Sequence, residues 1–335
     1  MTRHTHFINA ALFVCGMTAA VSQTLAADIS ARLGTSLPDS HPQTLGAQRF
    51  STLVEEKTNG AIEVQVFSNG ILGNDVNMTS MVQAGTLDFT IPSTATLSSL
   101  NPDFSIISLP FQFDDEEHAD AVLDSSVGEA LLASLEEKGI TGLGFWENGF
   151  RHITNSKRPI ETLEDLDGLK IRTMQNALYI DLFNDLNANA VPMPVNELFT
   201  ALETHTVDGQ ENPYTVIDTK RFYEVQDYLS QTAHAYDALV LIASSSFLDS
   251  LDEQNRAAVQ SAAREATLYQ RRVSRELNQA LIAELNEKIL INEVPMSERQ
   301  RMQAQLSDMM DQHVSELSPS FVSDFGNAIN SHRHR

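Results

Sequence analysis

Short apolar segments and amphipathic segments alternate along most of this chain. Residues 62–67 alternate apolar and polar side chains with period two, as expected for a strand with one buried face. Residues 238–243 are apolar without a break, which is typical of a strand buried on both faces. The repeated strand–helix pattern predicts an α/β fold. Further strands are predicted over residues 29–34, 87–92, 140–146, 170–174 and 189–193.

Helices are predicted where apolar residues recur at helical spacing. The longest such segment covers about residues 252–288 and contains neither proline nor glycine. It exceeds the usual length of a helix in a globular protein, so we expect it to span two lobes rather than pack on one. Other helices are predicted over residues 42–57, 75–84, 118–138, 297–317 and 321–330.

The first 27 residues have the pattern of an export signal. A weakly basic start precedes an apolar run over residues 7–21, and small residues follow. The run is too short and too interrupted for a typical membrane span. We expect cleavage after Ala26 or Ala27 and a periplasmic mature protein. An N-terminal membrane anchor is the alternative.

Composition narrows the function classes. Cys15, the only cysteine, lies within the expected signal, so the mature chain would have no disulfide and no thiolate. About 300 mature residues suffice for a large core, in two domains. The formal net charge of −23 disfavours binding to nucleic acid or to anionic membranes. A site for an anion must therefore be locally positive.

Two arginines at predicted strands are the strongest chemical signal. Arg172 lies inside an otherwise apolar strand, where a guanidinium requires an anion. That anion is either a ligand carboxylate, held by two parallel hydrogen bonds, or an internal partner such as Asp208 or Glu211. Arg151 follows the glycine-containing turn predicted over residues 147–150 and leaves the same two alternatives open.

Amide and aromatic side chains supply further candidates. Asn212, in the polar segment 207–213, is either a hydrogen-bond donor to a ligand or an Asx-turn residue. Asn176, just after the Arg172 strand, is either a ligand contact or a helix cap. Trp146, the only tryptophan, is either an aromatic platform for a ligand or a core residue.

Motifs of catalysis, cofactor binding and metal binding are missing from the sequence. It has no Gly-x-Ser-x-Gly elbow, no glycine-rich phosphate loop, no dinucleotide fingerprint and no Cys-x-x-Cys or His-x-x-x-His spacing. We therefore expect no cofactor, no metal and no enzymatic activity. A secreted enzyme that acts on anionic sugars through Glu197 and Glu211 is the alternative from another class.

Several segments together resemble the DctP-type solute-binding proteins of TRAP transporters, over essentially the whole mature chain. They are residues 149–151, 168–173, 192–194, 197–203, 207–213 and 222–226. The resemblance implies a two-lobed periplasmic binding protein fold with a hinge, a long helix that spans both lobes, and a cleft that closes on an organic acid. It implies a first lobe of residues 28–150 plus about 238–277, and a second lobe of residues 151–237 plus about 278–335.

The resemblance also implies roles for individual residues. Arg172 would pair with the ligand carboxylate, Asn212 would hydrogen-bond to it, and Arg151 would add a second cationic contact. Loops around His41, Asn74 and Ser93 would contribute from the first lobe. The protein would deliver its ligand to the membrane permease subunits of a TRAP transporter.

The resemblance leaves the ligand open between two classes. The loop over residues 93–96 lacks the glutamate and arginine of sialic-acid binders of this family. Trp146 and the amides of Asn176 and Gln210 favour a sugar acid such as a uronate, which needs one carboxylate clamp and several polar partners. A C4-dicarboxylate, with Arg151 as the second cation, is the alternative.

Overall fold

The computed structural model describes residues 1–2 and 27–333. Within that part of the chain it contains eleven strands and thirteen α-helices. The predicted export signal lies almost entirely outside the described residues. No helix within them is both long enough and apolar enough to cross a bilayer.

Seven of the strands lie at positions that the apolar pattern predicts, whereas the four at residues 152–155, 209–212, 228–231 and 290–293 were not among the predicted strands. The strand bounds are β1 Ile29–Gly34, β2 Ile62–Phe67, β3 Phe89–Thr90, β4 Ile140–Phe150, β5 His152–Asn155, β6 Lys170–Thr173, β7 Asn189–Pro192, β8 Gly209–Asn212, β9 Tyr228–Gln231, β10 Tyr236–Ser244 and β11 Leu290–Glu293.

The helices connect these strands and cover both sheets. Their bounds are α1 Pro42–Lys57, α2 Asp75–Gln83, α3 Thr94–Leu97, α4 Glu116–Leu123, α5 Ser126–Ala133, α6 Ala177–Asp185, α7 Val195–Glu203, α8 Tyr214–Thr219, α9 Ser245–Ser250, α10 Glu253–Leu285, α11 Met296–Gln305, α12 Ser307–Ser315 and α13 Pro319–His332. Short 3₁₀ helices cover Pro102–Ser108, Glu136–Lys138, Leu163–Leu166 and Phe222–Glu224.

The strands form two separate sheets, and each sheet is the centre of one lobe. The first lobe contains a five-stranded sheet in the order β2-β1-β3-β10-β4. The second lobe contains a six-stranded sheet in the order β11-β9-β5-β8-β6-β7. In the second sheet β6 is parallel to both β7 and β8, so the carboxyl ends of these strands lie along one edge. The two-lobed α/β fold is confirmed.

Four segments of the described chain connect the lobes, and the last of them is the turn between α12 and α13, residues 316–318. The chain passes from β4 into β5 at Arg151, and it returns from β9 to β10 through residues 232–235. Helix α10 is the third connection, because it packs on α1 and β4 of the first lobe and on α8 of the second. The predicted helix that spans both lobes is therefore confirmed. Gly46 permits the close approach of α1 to α10, since a Cβ there would lie 2.8 Å from Gln270 Cγ.

The helix predicted over residues 118–138 is wrong in one respect, since it is broken. Helix α4 ends at Leu123, and α5 begins after Ser125. The α5 helix approaches so closely that a Cβ on Gly128 would lie 1.8 Å from the Leu123 carbonyl oxygen. The break is local, since Asp124 is the C-cap of α4 and Ser125 is the N-cap of α5, and the glycine at 128 leaves room for the turn between them.

The C-terminal helices also differ from the prediction. The helix predicted over residues 297–317 is two helices, α11 and α12, which pack on the second lobe. Helix α13 instead packs on α4 and α5 of the first lobe, although the sequence placed all residues after 278 in the second. The reason is its apolar face, in which the buried Phe325 makes an edge-to-face contact with Phe113 of the first lobe.

Candidate functional site

A narrow cavity lies between the two lobes. Its volume is about 50 Å³. Both lobes contribute polar side chains to its wall. The polar residues that line it are Ser36, Gln43, Asn74, Asp75, Ser93, Thr96 and Asn148 from the first lobe, and Arg172, Gln175 and Asn212 from the second.

Arg172 and Asn212 reach the cavity from the carboxyl ends of neighbouring parallel strands. Arg172 lies in β6 beside Gln210 of β8, and Asn212 is the last residue of β8. This edge of the second sheet faces the first lobe. The structure thus brings together the two residues for which the sequence predicted a shared carboxylate contact.

The Arg172 guanidinium is fixed on one side and free on the other. Its Nε and Nη2 atoms donate to the Met193 carbonyl oxygen at 2.9 and 2.6 Å. Its Nη1 atom has no hydrogen-bond partner in the described part of the chain, although only 2% of the residue is exposed. Burial lowers the pKa of Arg172 to about 10, and Glu211 only partly compensates. The site therefore holds a desolvated cation with a donor to spare.

Arg151 is placed differently, because internal carboxylates already neutralise it. Its Nη2 atom donates to Glu211 Oε1 at 2.9 Å and to Asn212 Oδ1 at 3.0 Å, and its Nε atom donates to the other Glu211 oxygen. Its Nη1 atom lies 3.4 Å from Asp237 Oδ2. Arg151 is fully buried. Of the two alternatives left open by the sequence, the structure shows the internal salt bridge for Arg151.

The pKa values of the two carboxylates around Arg151 are shifted in opposite directions. Burial alone would raise the pKa of Glu211, but Arg151 and His234 outweigh it, so that the pKa is lowered. Burial raises the pKa of Asp237, despite Arg151 and hydrogen bonds from Asn148 and Ser93. Glu211 is therefore the firm counter-ion of Arg151, at the point where the chain crosses between the lobes.

The first-lobe residues that the sequence proposed are all helix caps. Asn74 and Ser93 line the cavity while their side chains accept hydrogen bonds at the starts of α2 and α3. His41 caps α1 through Nδ1, which accepts from the Gln43 N–H at 3.0 Å. Burial, with Lys220 nearby, lowers the pKa of His41 to about 3, so the imidazole is neutral.

Two predicted ligand contacts lie behind the cavity wall. Trp146 is 1% exposed in the core of the first lobe, where its Nε1–H donates to Thr267 of α10 at 2.9 Å. Its location corrects the interpretation of this residue as an aromatic platform. Gln210 is fully buried between Thr154 and Asn212, to whose side chains it is hydrogen-bonded. Gln210 thus orients Asn212 and does not itself line the cavity.

Asn176 connects the lobes. Its Oδ1 atom caps α6 by accepting from the Tyr179 N–H, as the capping alternative predicts. Its Nδ2 atom donates to the Ala95 carbonyl oxygen at 2.8 Å and to the Ser98 hydroxyl at 2.9 Å. Both partners belong to the first lobe. Asn176 thereby stabilises the arrangement in which the lobes are in contact.

Replacing Asn176 with aspartate is expected to weaken ligand binding about tenfold, because two hydrogen bonds between the lobes are lost. Aspartate still caps α6, so the second lobe should fold normally. Titration calorimetry with a small carboxylate of the class that the sequence predicts measures the change. Ser98→Ala, which removes one of the two acceptors, should have a smaller effect. Unchanged affinity in both variants would show that these bonds do not support closure.

Six of the polar residues that line the cavity were not singled out from the sequence, namely Ser36, Gln43, Asp75, Thr96, Asn148 and Gln175. Asn148 lies in a segment predicted as a turn, but β4 continues through it to Phe150. The pairing of β4 with β10 skips Asn148, which is a β-bulge that turns its side chain toward the cavity. Gln43 and Asp75 lie in the first turns of α1 and α2, where such residues are common for local reasons. No sequence signal distinguishes them.

The carboxylate pair of the enzyme alternative is not assembled. Glu211 is fully buried and bound to Arg151, whereas Glu197 lies on an exposed part of α7. Two catalytic carboxylates of a glycosidase must flank one substrate bond. The geometry therefore gives this pair no common substrate position.

Comparisons with known proteins agree with the fold and the cavity. Residues 33–317 match the model of the bacterial extracellular solute-binding proteins, family 7, called DctP. The 2,3-diketo-L-gulonate-binding periplasmic protein YiaO of Escherichia coli K12 is 39% identical over 277 residues, which cover 83% of this chain and 84% of that protein.

Solved structures give the same assignment. The sugar acid binding protein DctPAm of Advenella mimigardefordensis, in complex with galactonate, is similar at 38% identity and a TM-score of 0.90, over 92% of this chain and 100% of that one. A TRAP periplasmic solute-binding protein of a Polaromonas species, bound to D-erythronate, is similar at 36% identity and a TM-score of 0.85, over 89% and 98% of the two chains. This chain belongs to the DctP family of bacterial extracellular solute-binding proteins, the TRAP transporter type.

Proposed function

We propose that this protein is a periplasmic receptor that captures a small sugar acid between its lobes and delivers it to the membrane permease subunits of a TRAP transporter. The observation that carries the proposal is the buried Arg172, whose Nη1 atom has no partner among the described residues and which lines the cavity. A ligand carboxylate would supply the missing acceptor. A charge-assisted hydrogen bond is strongest in such a desolvated place.

Asn212 is the second proposed carboxylate contact. Its Nδ2 atom uses one hydrogen on Gln210, and a primary amide carries two. The remaining hydrogen is available to a carboxylate at the same end of the cavity. Arg151 then has an indirect role, since its hydrogen bond to Asn212 Oδ1 fixes the orientation of the amide.

The ligands of three similar proteins support a sugar acid, while other relatives bind C4-dicarboxylates. One relative binds 2,3-diketo-L-gulonate, and two structural neighbours hold galactonate and D-erythronate. All three ligands combine one carboxylate with hydroxyl or keto groups. A uronate has the same combination in a ring, and remains within the proposed class.

A C4-dicarboxylate is the second candidate, and the geometry disfavours it. It would need a second cation, for which the sequence proposed Arg151. Arg151 is fully buried and paired with Glu211 and Asp237. Among the described residues, Arg172 is therefore the one arginine with a free guanidinium donor in the cavity.

A thermal-shift screen followed by calorimetry tests the proposal. Uronates, aldonates and C4-dicarboxylates are each added to the mature protein, and a bound acid at about 100 times its dissociation constant should stabilise the fold by about 2.7 kcal/mol. Stoichiometric binding of a sugar acid, with the acid recovered unchanged by NMR after overnight incubation, is expected. Turnover of the acid would support the enzyme alternative, and a dicarboxylate as the best ligand would contradict the sugar-acid assignment.

A further inference from the structure

Opposite the Arg172 donor, the first lobe presents hydrogen-bond acceptors. The Oδ1 atom of Asp75, the Oε1 atom of Gln43 and the Oδ1 atom of Asn148 are all buried, and none has a hydrogen-bond partner in the part of the chain that the structure describes. All three residues line the cavity. Buried acceptors without donors are uncommon in folded proteins, and each one costs free energy. We call these three atoms the acceptor patch.

Neighbouring bonds determine that the two amides present oxygen and not nitrogen. Gln43 Nε2 donates to the Ile91 carbonyl oxygen at 2.7 Å, and a carbonyl can only accept. Asn148 Nδ2 donates to Asp237 Oδ2 at 2.6 Å. Rotating either amide by 180° would place two acceptors against each other. Both amide oxygens are therefore held as acceptors.

Asp75 is the residue of the acceptor patch that carries a negative charge when it is ionised. Burial raises the pKa of its carboxyl and the nearby Asp237 acts in the same direction, whereas Ser36, Ser93 and Arg172 oppose this change. Lys220 of the second lobe is a further nearby cation. An ionised Asp75 accepts hydrogen bonds from hydroxyl groups and repels a carboxylate placed beside it.

From this arrangement, and resting on the proposed capture of a carboxylate at Arg172, we infer that the acceptor patch determines specificity. It receives hydroxyl groups at the end of the ligand that lies away from Arg172, and it rejects a second carboxylate there. The cavity thus has a donor end, at Arg172 and Asn212, and an acceptor end, at Asp75, Gln43 and Asn148. The selected ligands are acids with one carboxylate and several hydroxyl groups.

Two matched ligand pairs test this inference on the unaltered protein. D-Galactonate and galactarate share a six-carbon skeleton and differ only in a terminal CH₂OH or carboxylate, and D-erythronate and meso-tartrate are the four-carbon equivalent. Calorimetry at pH 8 favours the ionised form of Asp75 more than calorimetry at neutral pH, because burial raises its pKa. We expect each monocarboxylate to bind about 100-fold more tightly than its dicarboxylate partner. Equal affinities within a pair would overturn the inference.

An Asp75→Asn variant tests the residue itself. It should bind D-galactonate about 10- to 100-fold more weakly, because a hydrogen bond to a charged acceptor is lost. Its binding of galactarate should weaken less or improve, so that the preference between the two acids narrows. Glu63→Gln is the matched control, since it removes one negative charge from an exposed position of β2 in the same lobe. An unchanged preference in Asp75→Asn would remove Asp75 from the inference.

The outcomes separate this inference from the proposed function. If the unaltered protein binds none of the four acids and no other carboxylate, the proposed function is wrong. If it binds both members of each pair equally, the proposed capture of a solute is supported, and the proposed role of the acceptor patch in specificity is rejected. Thermal melting of Asp75→Asn verifies its folding, and the ligand pairs decide the question even if that variant is unstable.

Discussion

Replacing Glu211 with alanine is expected to lower the free energy of unfolding by about 3–5 kcal/mol, because it leaves a buried arginine without its principal counter-ion. Arg151 and Glu211 are both fully buried, and Arg151 Nη2 lies 2.9 Å from Glu211 Oε1. Asp237, at 3.4 Å from Arg151 Nη1, cannot replace this partner, since it is also committed to Ser93 and Asn148. The ion pair that is lost lies at the point where the chain crosses between the lobes.

Urea unfolding followed by circular dichroism measures this change. Glu164→Ala is the matched control, because Glu164 pairs with Arg301 in an ion pair that is exposed to solvent. Such surface pairs contribute little to stability. A double variant, Arg151→Met with Glu211→Leu, should recover part of the loss, since apolar side chains can replace a buried ion pair. If Glu211→Ala unfolds at the same urea concentration as Glu164→Ala, the buried pair does not have this structural role.

Replacing Arg172 with alanine is expected to have the largest effect on function. The variant should lose about 2–5 kcal/mol of binding free energy for D-galactonate, or roughly 30-fold to several thousand-fold in affinity. The physical reason is that a carboxylate closed into the cavity would lose the only free guanidinium donor in the described cavity wall. The interaction is strong because burial has already removed water from Arg172.

Calorimetry on three variants and the unaltered protein isolates this effect. Arg172→Lys keeps the charge but not the planar fork of donors, so its affinity should lie between those of the alanine variant and the unaltered protein. Arg272→Ala, at an exposed position of α10, controls for loss of positive charge. Thermal melting confirms that the variants fold. Wild-type affinity in Arg172→Ala would exclude the proposed clamp.

Local patterns were sufficient to predict most of the fold. The bounds predicted for β1, β2 and α1 agree with the structure because their apolar periodicity is regular and their ends carry caps or glycine. The apolar pattern did not predict features of the fold that depend on tertiary contacts. The position of α13 depends on which lobe covers its apolar face, and that contact is not encoded in a short window of sequence. The break between α4 and α5 is local, but the apolar periodicity continues across it.

Prediction of the site from the sequence was limited in the same way. Arg172 was recognisable because a guanidinium in an apolar strand is unusual, whereas Arg151 carries the same local signal and is neutralised by distant residues. Asn148 was read as part of a turn, because a bulge opposite β10 depends on strand pairing rather than on local sequence. Residue type alone predicted an anion site. Pairing between the lobes determines which polar groups remain free to bind.

The two ends of the cavity give a physical account of orientation. A donor end at Arg172 and an acceptor end at Asp75 would align a sugar acid in one direction and engage both lobes at once. Ligand binding would then favour the closed arrangement by the difference in contacts between the open and closed forms. Asn176 adds a contact between the lobes that is independent of the ligand.

A crystal structure of the protein with D-galactonate tests the central claim most directly. It should show a carboxylate oxygen about 2.7–2.9 Å from Arg172 Nη1, as in other charge-assisted hydrogen bonds. The hydroxyl groups should lie on the acceptor patch of Asp75, Gln43 and Asn148. A galactonate carboxylate bound away from Arg172, or a galactonate molecule outside the cavity between the lobes, would contradict the account.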